Sequence, residues 1–273
     1  MDRRQYEADI NAWHAKRIES LKAPNGWLNL IGLFWLKPGA NTFGSAEKNS
    51  IRFPAGKIAA EAGTILLSGD SVILSANPSA GIICDAQPVT DLTIFSNGKS
   101  KELKAGTLRF TIIKRDQQFG SRLRDDESEM RKTFTDVNRF PIDLKYRVTA
   151  RFEKADSLKT IPITNIVGQT TQQPSPGTLV FELDGQNLRL DAMQEGDELF
   201  IVFGDATSAA ETYAGGRFLY TDKPKENETV ILDFNKAYNP PCVFTPYATC
   251  PLPPRQNRLP VAIKAGEKDL AHH

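Results

Sequence analysis

Two aspartates and an arginine, each beside a strand-like run, are the residues of this chain best placed to do chemistry. Asp205 follows the apolar run 198–203, Arg217 follows the double glycine Gly215-Gly216, and Asp233 stands near the end of the run 230–234 with Asn235 just beyond. Strand ends and the loops next to them are where β proteins place sites. Two convergent carboxylates can divide general acid and base roles in a hydrolysis, or ligate a divalent cation with Asn side chains and carbonyls as further oxygens. An arginine fork beside them would hold the anionic group of a small ligand at two points. The catalytic candidates are therefore Asp205 and Asp233. Arg217, Tyr213, Asn235, Tyr238, Asn239, Asn257 and Glu267 are the ligand-binding candidates. An architectural alternative stands beside each: Asp205 accepting from the amides of Ala206 to Ser208, Arg217 tying its turn to the sheet, the tyrosines packing under a coil.

Other signatures are absent. The sequence has no G-x-S-x-G elbow, P-loop, H-E-x-x-H helix or dinucleotide fingerprint. Of its three histidines, His272 and His273 read as a tag remnant or frayed tail, so a histidine-based device would rest on His14 alone. No cofactor is required by these residues and no metal-ligand cluster of Cys and His is spaced for one; a divalent cation on the aspartates stays open. Cys84, Cys242 and Cys250 make an odd count. Cys242 and Cys250 read as two reduced, mostly buried thiols, as a disulfide, or as metal ligands or nucleophiles.

The elements that must position these residues are mostly short strands. Runs at 64–67, 71–75, 92–95, 107–115, 119–125, 146–153, 178–183, 187–191, 198–203 and 230–234 alternate or are broken by turn residues, with Ser68-Gly69-Asp70 and Asp184-Gly185 as hairpin turns. The polar stretch 169–177 reads as a linker. Residues 3–22 read as an amphipathic helix, with Tyr6, Ile10, Trp13, Arg17 and Leu21 on one face and Pro24-Asn25-Gly26 as its end. Residues 233–268 carry Pro240, Pro241, Pro246, Pro251, Pro253, Pro254 and Pro260, too many for a helix or a central strand, and their interleaved aromatics mark an ordered coil. The fold expected is mainly β: an antiparallel β-sandwich or a bent, partly closed barrel, with an N-terminal amphipathic helix (1–25) packed on it and a long Pro-rich C-terminal coil, in one domain over residues 1–273. Strands without intervening helices exclude doubly wound and TIM-barrel architectures.

At 273 residues with 40% hydrophobic content the chain can bury a substantial core, and a net charge of +1 gives no electrostatic reason to expect nucleic acid as a partner. The apolar run 27–36 is about half the length a membrane helix needs. A soluble protein is expected, either cytoplasmic or exported with its signal removed, and the oligomeric state is not set by these features.

The segments GWLNLIGLFWLKPG, FGSRLRD, FGDATSAAETYAGGRFL and DFNKAYNPPCVFTPYATCPLPPRQNRLPVAIKAGEK resemble the bacterial and archaeal family known as domain of unknown function 1684, over about residues 13–268. The family's recurrent positions fall on Asp205, Thr207, Thr212, Tyr213, Gly216 and Arg217 in one block. In the other they fall on Asp233, Asn235, Asn239, Pro241, Cys242, Cys250, Pro251, Asn257 and Glu267. The resemblance brings no established activity, cofactor or fold. Three functions fit: a pocket for a small polar or anionic ligand, with hydrolysis the default reaction, built from Asp205, Arg217 and Asp233; a binding module without turnover; or a structural or interaction protein whose coil plugs a sheet edge.

Overall fold

The computed structural model describes residues 2–155, 159–224 and 229–270; His272 and His273 lie outside them. The chain, read above as one domain, gathers into two compact units, Lys22–Phe134 and Met1–Leu21 with Thr135–His273. Both are mainly antiparallel β.

In Lys22–Phe134, two six-stranded sheets share one core. The long hairpin Leu108–Arg115 with Gln118–Asp125 turns Leu108, Phe110, Ile112 and Leu123 inward, where they join Phe43, Ile65 and Leu74 of the other sheet. Phe53 meets Phe43 and Phe110 with ring centroids 5.7 and 5.4 Å away. The run 27–36 supplies the edge strand Leu30–Trp35 on this hairpin.

The other unit holds the candidate residues. The six strands of its main sheet are numbered β1 (Arg147–Lys154), β2 (Gly177–Leu183), β3 (Gln186–Glu195), β4 (Glu198–Phe203), β5 (Arg217–Asp222) and β6 (Thr229–Asp233), hydrogen-bonded in the order β5-β4-β3-β2-β1-β6. The sheet curls into a nearly closed barrel. At the seam the two end strands meet, and the Thr221 hydroxyl donates to Ile231 O at 2.8 Å. Asp184 and Gly185 both take positive φ, the geometry a two-residue hairpin turn requires between β2 and β3.

Alternate residues of the strands fill the interior, among them Phe181, Leu190, Ile201, Leu219 and Leu232. The coil completes that interior: Leu259, Val261, Ile263 and Ala265, spaced by two, enter the same cluster. It is ordered by short 3-10 turns at Phe234–Lys236, Pro241–Val243 and Arg255–Asn257. Tyr238 exchanges both backbone hydrogen bonds with Phe218 of β5, an end strand of the barrel, so the coil covers part of that edge. Helix α1 (Arg3–Lys22) buries Tyr6 and Ile10 and half-buries Trp13 and Arg17. His14 is tied down structurally, its Nε2 2.7 Å from Asp136 Oδ1.

One expectation fails in this unit. The stretch 169–177 is no linker: Thr170–Pro174 pairs with Thr160–Thr164 as a hairpin. Its own residues are polar, but the partner strand is β-branched and buries Ile161 and Ile163, and the ladder follows the partner.

Candidate functional site

Asp205 and Arg217 do come together, in the interior. Arg217 is 1% exposed, and its Nη2 donates to Asp205 Oδ2 and to Ile263 O, both at 2.8 Å. Nη1 donates to Ala265 O and, at 3.3 Å, to Glu267 O. In an extended chain alternate carbonyls point the same way, so one guanidinium gathers three from the coil. Burial lowers the Arg217 pKa from its ordinary value, and the charges of Asp205 and Glu267 work against that fall. Asp205 Oδ1 accepts from Thr207 N (2.8 Å), Thr207 Oγ1 (2.6 Å) and Ile263 N (3.2 Å). Gly216 precedes Arg217 with φ +84°, where a Cβ would lie 2.4 Å from Pro253 Cγ. Carboxylate and fork are thus occupied by the protein itself, as a latch that closes the coil onto the barrel. The architectural alternative describes this pair, and its guanidinium presents no face to a ligand.

Asn257 and Asn239 are buried too. Asn257 Nδ2 donates to Asp191 O and Val202 O, both at 2.9 Å, and its Oδ1 accepts from Asp191 N at 2.8 Å. The β3–β4 ladder runs from Glu195↔Glu198 to Met193↔Phe200. Asp191 and Val202 would be the next hydrogen-bonding pair, and the Asn257 amide stands in for their missing bonds. Asn239 Nδ2 donates to Lys268 O at 2.7 Å. Glu267 receives Asn239 N–H at 2.7 Å and Arg17 Nε–H at 3.2 Å, and burial raises its pKa while Arg17 opposes the rise. Tyr213 packs its ring over Gly215, and burial raises its hydroxyl pKa.

Asp233 has a different setting. A cleft of about 640 Å³ runs between α1 and the barrel seam, in the size range of small-molecule sites. Asp233 and Tyr238 line it; Asp205 and Arg217 do not. Asp233 Oδ1 accepts from Tyr6 OH at 2.8 Å and from Asn235 N and Nδ2, both at 3.2 Å. Its Oδ2 has no hydrogen-bond partner among the described residues. Asn235 is itself held by Asp143, donating to its carbonyl and accepting from its N–H. Burial, and then the hydrogen bond to Asp233, raise the Tyr6 pKa.

Arg147 lies directly across from Asp233 in the β1–β6 register, and Lys236 follows in the next turn; both line the cleft, as does Lys16 of α1. Aromatic rings make its wall. Tyr220 and Tyr238 stack at 8° with centroids 6.3 Å apart, Trp13 stands 6.5 Å from Tyr238, and Arg17 lies 4.6 Å over the Tyr238 ring. Glu198 and Asp222, opposite one another on β4 and β5, also line the cleft, with Asp9 of α1.

Sequence reasoning missed Tyr6, Arg147, Lys236 and Tyr220. Tyr6 reads as one more residue of a helix stripe, and Arg147 gains meaning only when β1 is paired with β6. For Arg147 the signal is its place opposite Asp233 once that pairing is drawn, and Tyr6 has none. Cys242 and Cys250 are free thiols, with Cys242 N–H donating to Cys250 Sγ at 3.1 Å. Among the described residues no three His, Cys, Asp or Glu side chains gather to hold a metal ion, and no helix is long and apolar enough to cross a membrane.

No curated protein matches this chain. The solution structure of an uncharacterised protein from Haloarcula marismortui is 31% identical to it, covering 53% of this chain and 82% of that one, with a TM-score of 0.45. The resemblance expected from about residue 13 is carried by residues 132–268, half of the chain, which match the family described as Protein of unknown function (DUF1684), and the chain belongs to that family.

Proposed function

We propose that the cleft between α1 and the barrel seam binds a small ligand carrying an anionic group. The observation that carries this reading is that Lys16, Arg147 and Lys236 all line the cleft while their charged groups make no ion pair or hydrogen bond among the described residues. A cation buried and ion-paired within the protein, as Arg217 is, offers a ligand little. Arg147 can grip a carboxylate or phosphate bidentately, with Lys236 adding a point charge. The wall of Trp13, Tyr220 and Tyr238 suits a flat or apolar ligand body.

A hydrolytic use of the cleft rests on Asp233 alone of the two aspartates. Its Oδ1 is fixed by Tyr6 and Asn235, leaving Oδ2 as the acceptor for a proton from water. The coil supports the architectural reading as well, since it covers the β5 edge and is latched by Arg217.

Calorimetric titration with inorganic phosphate and a panel of aromatic carboxylates and phosphates tests the binding reading. Arg147→Ala and Lys236→Ala are each expected to weaken binding about 10- to 100-fold, the loss of one charge-assisted hydrogen bond of ~1.5–3 kcal/mol, with melting unchanged. Binding indifferent to both substitutions sinks the proposal. Asp233→Asn then separates enzyme from binder, removing turnover and keeping affinity only if the site is catalytic.

A further inference from the structure

Two thiols meet inside the coil. Cys242 is half-buried in the turn Pro241–Val243, and Cys250, eight residues on, is buried, yet the Cys242 N–H reaches the Cys250 sulfur at 3.1 Å. The loop between them is held without help from a bond. Phe244 and Thr245 N–H groups donate to Pro241 O at 2.9 and 3.2 Å, the Cys242 thiol faces Ala248 O at 3.7 Å, and Thr245 and Ala248 are buried. Pro246 and Pro251 fix φ within the loop and at its exit. The two thiols are therefore neighbours in the reduced protein, one on a half-buried residue and one on a buried residue. That is the arrangement of an attacking and a resolving thiol.

We propose that Cys242 and Cys250 are a reversible thiol–disulfide pair that responds to oxidants of the peroxide class. The Cys242 sulfur attacks one oxygen of hydrogen peroxide and the O–O bond breaks. The departing hydroxide takes the thiol proton as water, leaving Cys242 a sulfenic acid. The Cys250 sulfur then attacks the Cys242 sulfur; the S–S bond forms, the S–O bond breaks, and the hydroxyl leaves with the Cys250 proton as a second water. Two thiols lose two electrons and two protons, and peroxide is reduced to two waters. The first step is favoured because the hydrogen bond from Cys250 holds the Cys242 thiol below its ordinary pKa, against the opposing effect of burial. The pair works in this way whatever the cleft binds.

Treatment of the full-length native chain with stoichiometric hydrogen peroxide, followed by thiol titration after denaturation and by intact and peptide mass analysis, tests this. Two of the three thiols are expected to disappear, the mass to fall by two hydrogen atoms, and a cross-link joining Cys242 to Cys250 to appear and to reverse with dithiothreitol before denaturation. Cys250→Ser should stop at a Cys242 sulfenic acid that dimedone traps, and Cys242→Ser should keep its remaining thiols at the same dose. An unchanged thiol count, a bond that dithiothreitol opens only after unfolding, or dimedone labelling of Cys84 equal to that of Cys242 overturns the proposal. The unsubstituted chain suffices for the decision, so a variant that fails to fold does not remove it.

Discussion

Asp205 with Arg217 and Asp233 with Arg147 are the same two residue types at the ends of neighbouring barrel strands, and they have opposite fates. Arg217 is 1% exposed, ion-paired and bound to three coil carbonyls. Arg147 faces Asp233 across the ladder without pairing with it and stands at the edge of a cleft. The difference lies in what covers each arginine. The coil returns over β4 and β5 with extended backbone whose carbonyls need donors, and a guanidinium supplies them in a fixed fork. Over the β5–β6 seam the cover is α1, whose backbone groups are satisfied within the helix, so it leaves a lined gap. Residue type proposes chemistry, and the hydrogen-bond demand of the covering segment decides whether that chemistry is free.

The largest effect expected from this contrast is in the latch. Arg217→Ala strands the Asp205 carboxylate and three carbonyls in the interior, and breaking a buried pair from one side costs ~3–5 kcal/mol, read from urea midpoints at constant m. Arg217→Lys should recover only part of it, because one ammonium cannot reach the same set of acceptors. A loss under ~1 kcal/mol for Arg217→Ala would show that the pair is loosely hydrated, and would blur the distinction from Arg147.

Asn257→Ala comes next. It removes the amide that replaces a ladder step between β3 and β4 and leaves Asp191 N, Asp191 O and Val202 O to find water. At ~1–3 kcal/mol for an unsatisfied buried group, a loss of ~2 kcal/mol is expected, with hydrogen exchange accelerated at Asp191 more than elsewhere on β3. Uniform acceleration along β3 would assign Asn257 to general packing.

Much of the fold was legible because most strands of both units pair as local hairpins. The alternation at 107–115 and 119–125, the Asp184-Gly185 turn and the helix stripe each carry their own signal within about ten residues. The pairing of β6 with β1, which brings β6 round to the seam with β5, was not, since it joins residues more than seventy positions apart through nothing but register. The same gap hid the cleft: Asp233 was visible at a strand end, but Arg147 and Tyr6 become its neighbours only when β6 lies beside β1 and α1 crosses the seam. Conversely, Asn239, Asn257 and Glu267 drew attention as polar residues in a proline-rich coil. Most of their polar groups are answered by the coil's own backbone and the strands beneath it.

Glu267 tests the contrast most finely because it belongs to both regions. Its carbonyl accepts from Arg217 in the latch, and its carboxylate accepts from Arg17, which lines the cleft. Burial holds its pKa above the ordinary carboxylate value, against the pull of Arg17, Asn239 N–H and His14. The sign of the consequence follows from proton counting. As pH rises past the ordinary value the unfolded chain releases this proton first, so the folded state holds the excess proton and stability falls until the folded group also ionises. Below that window the contribution is complete. Glu267→Gln removes the titration and keeps an acceptor, so as pH rises above the ordinary carboxylate value its melting temperature should decline less than that of the unsubstituted protein. Parallel curves would mean that Arg17 compensates the buried charge in full, and Arg17 would then belong to the latch and not to the cleft.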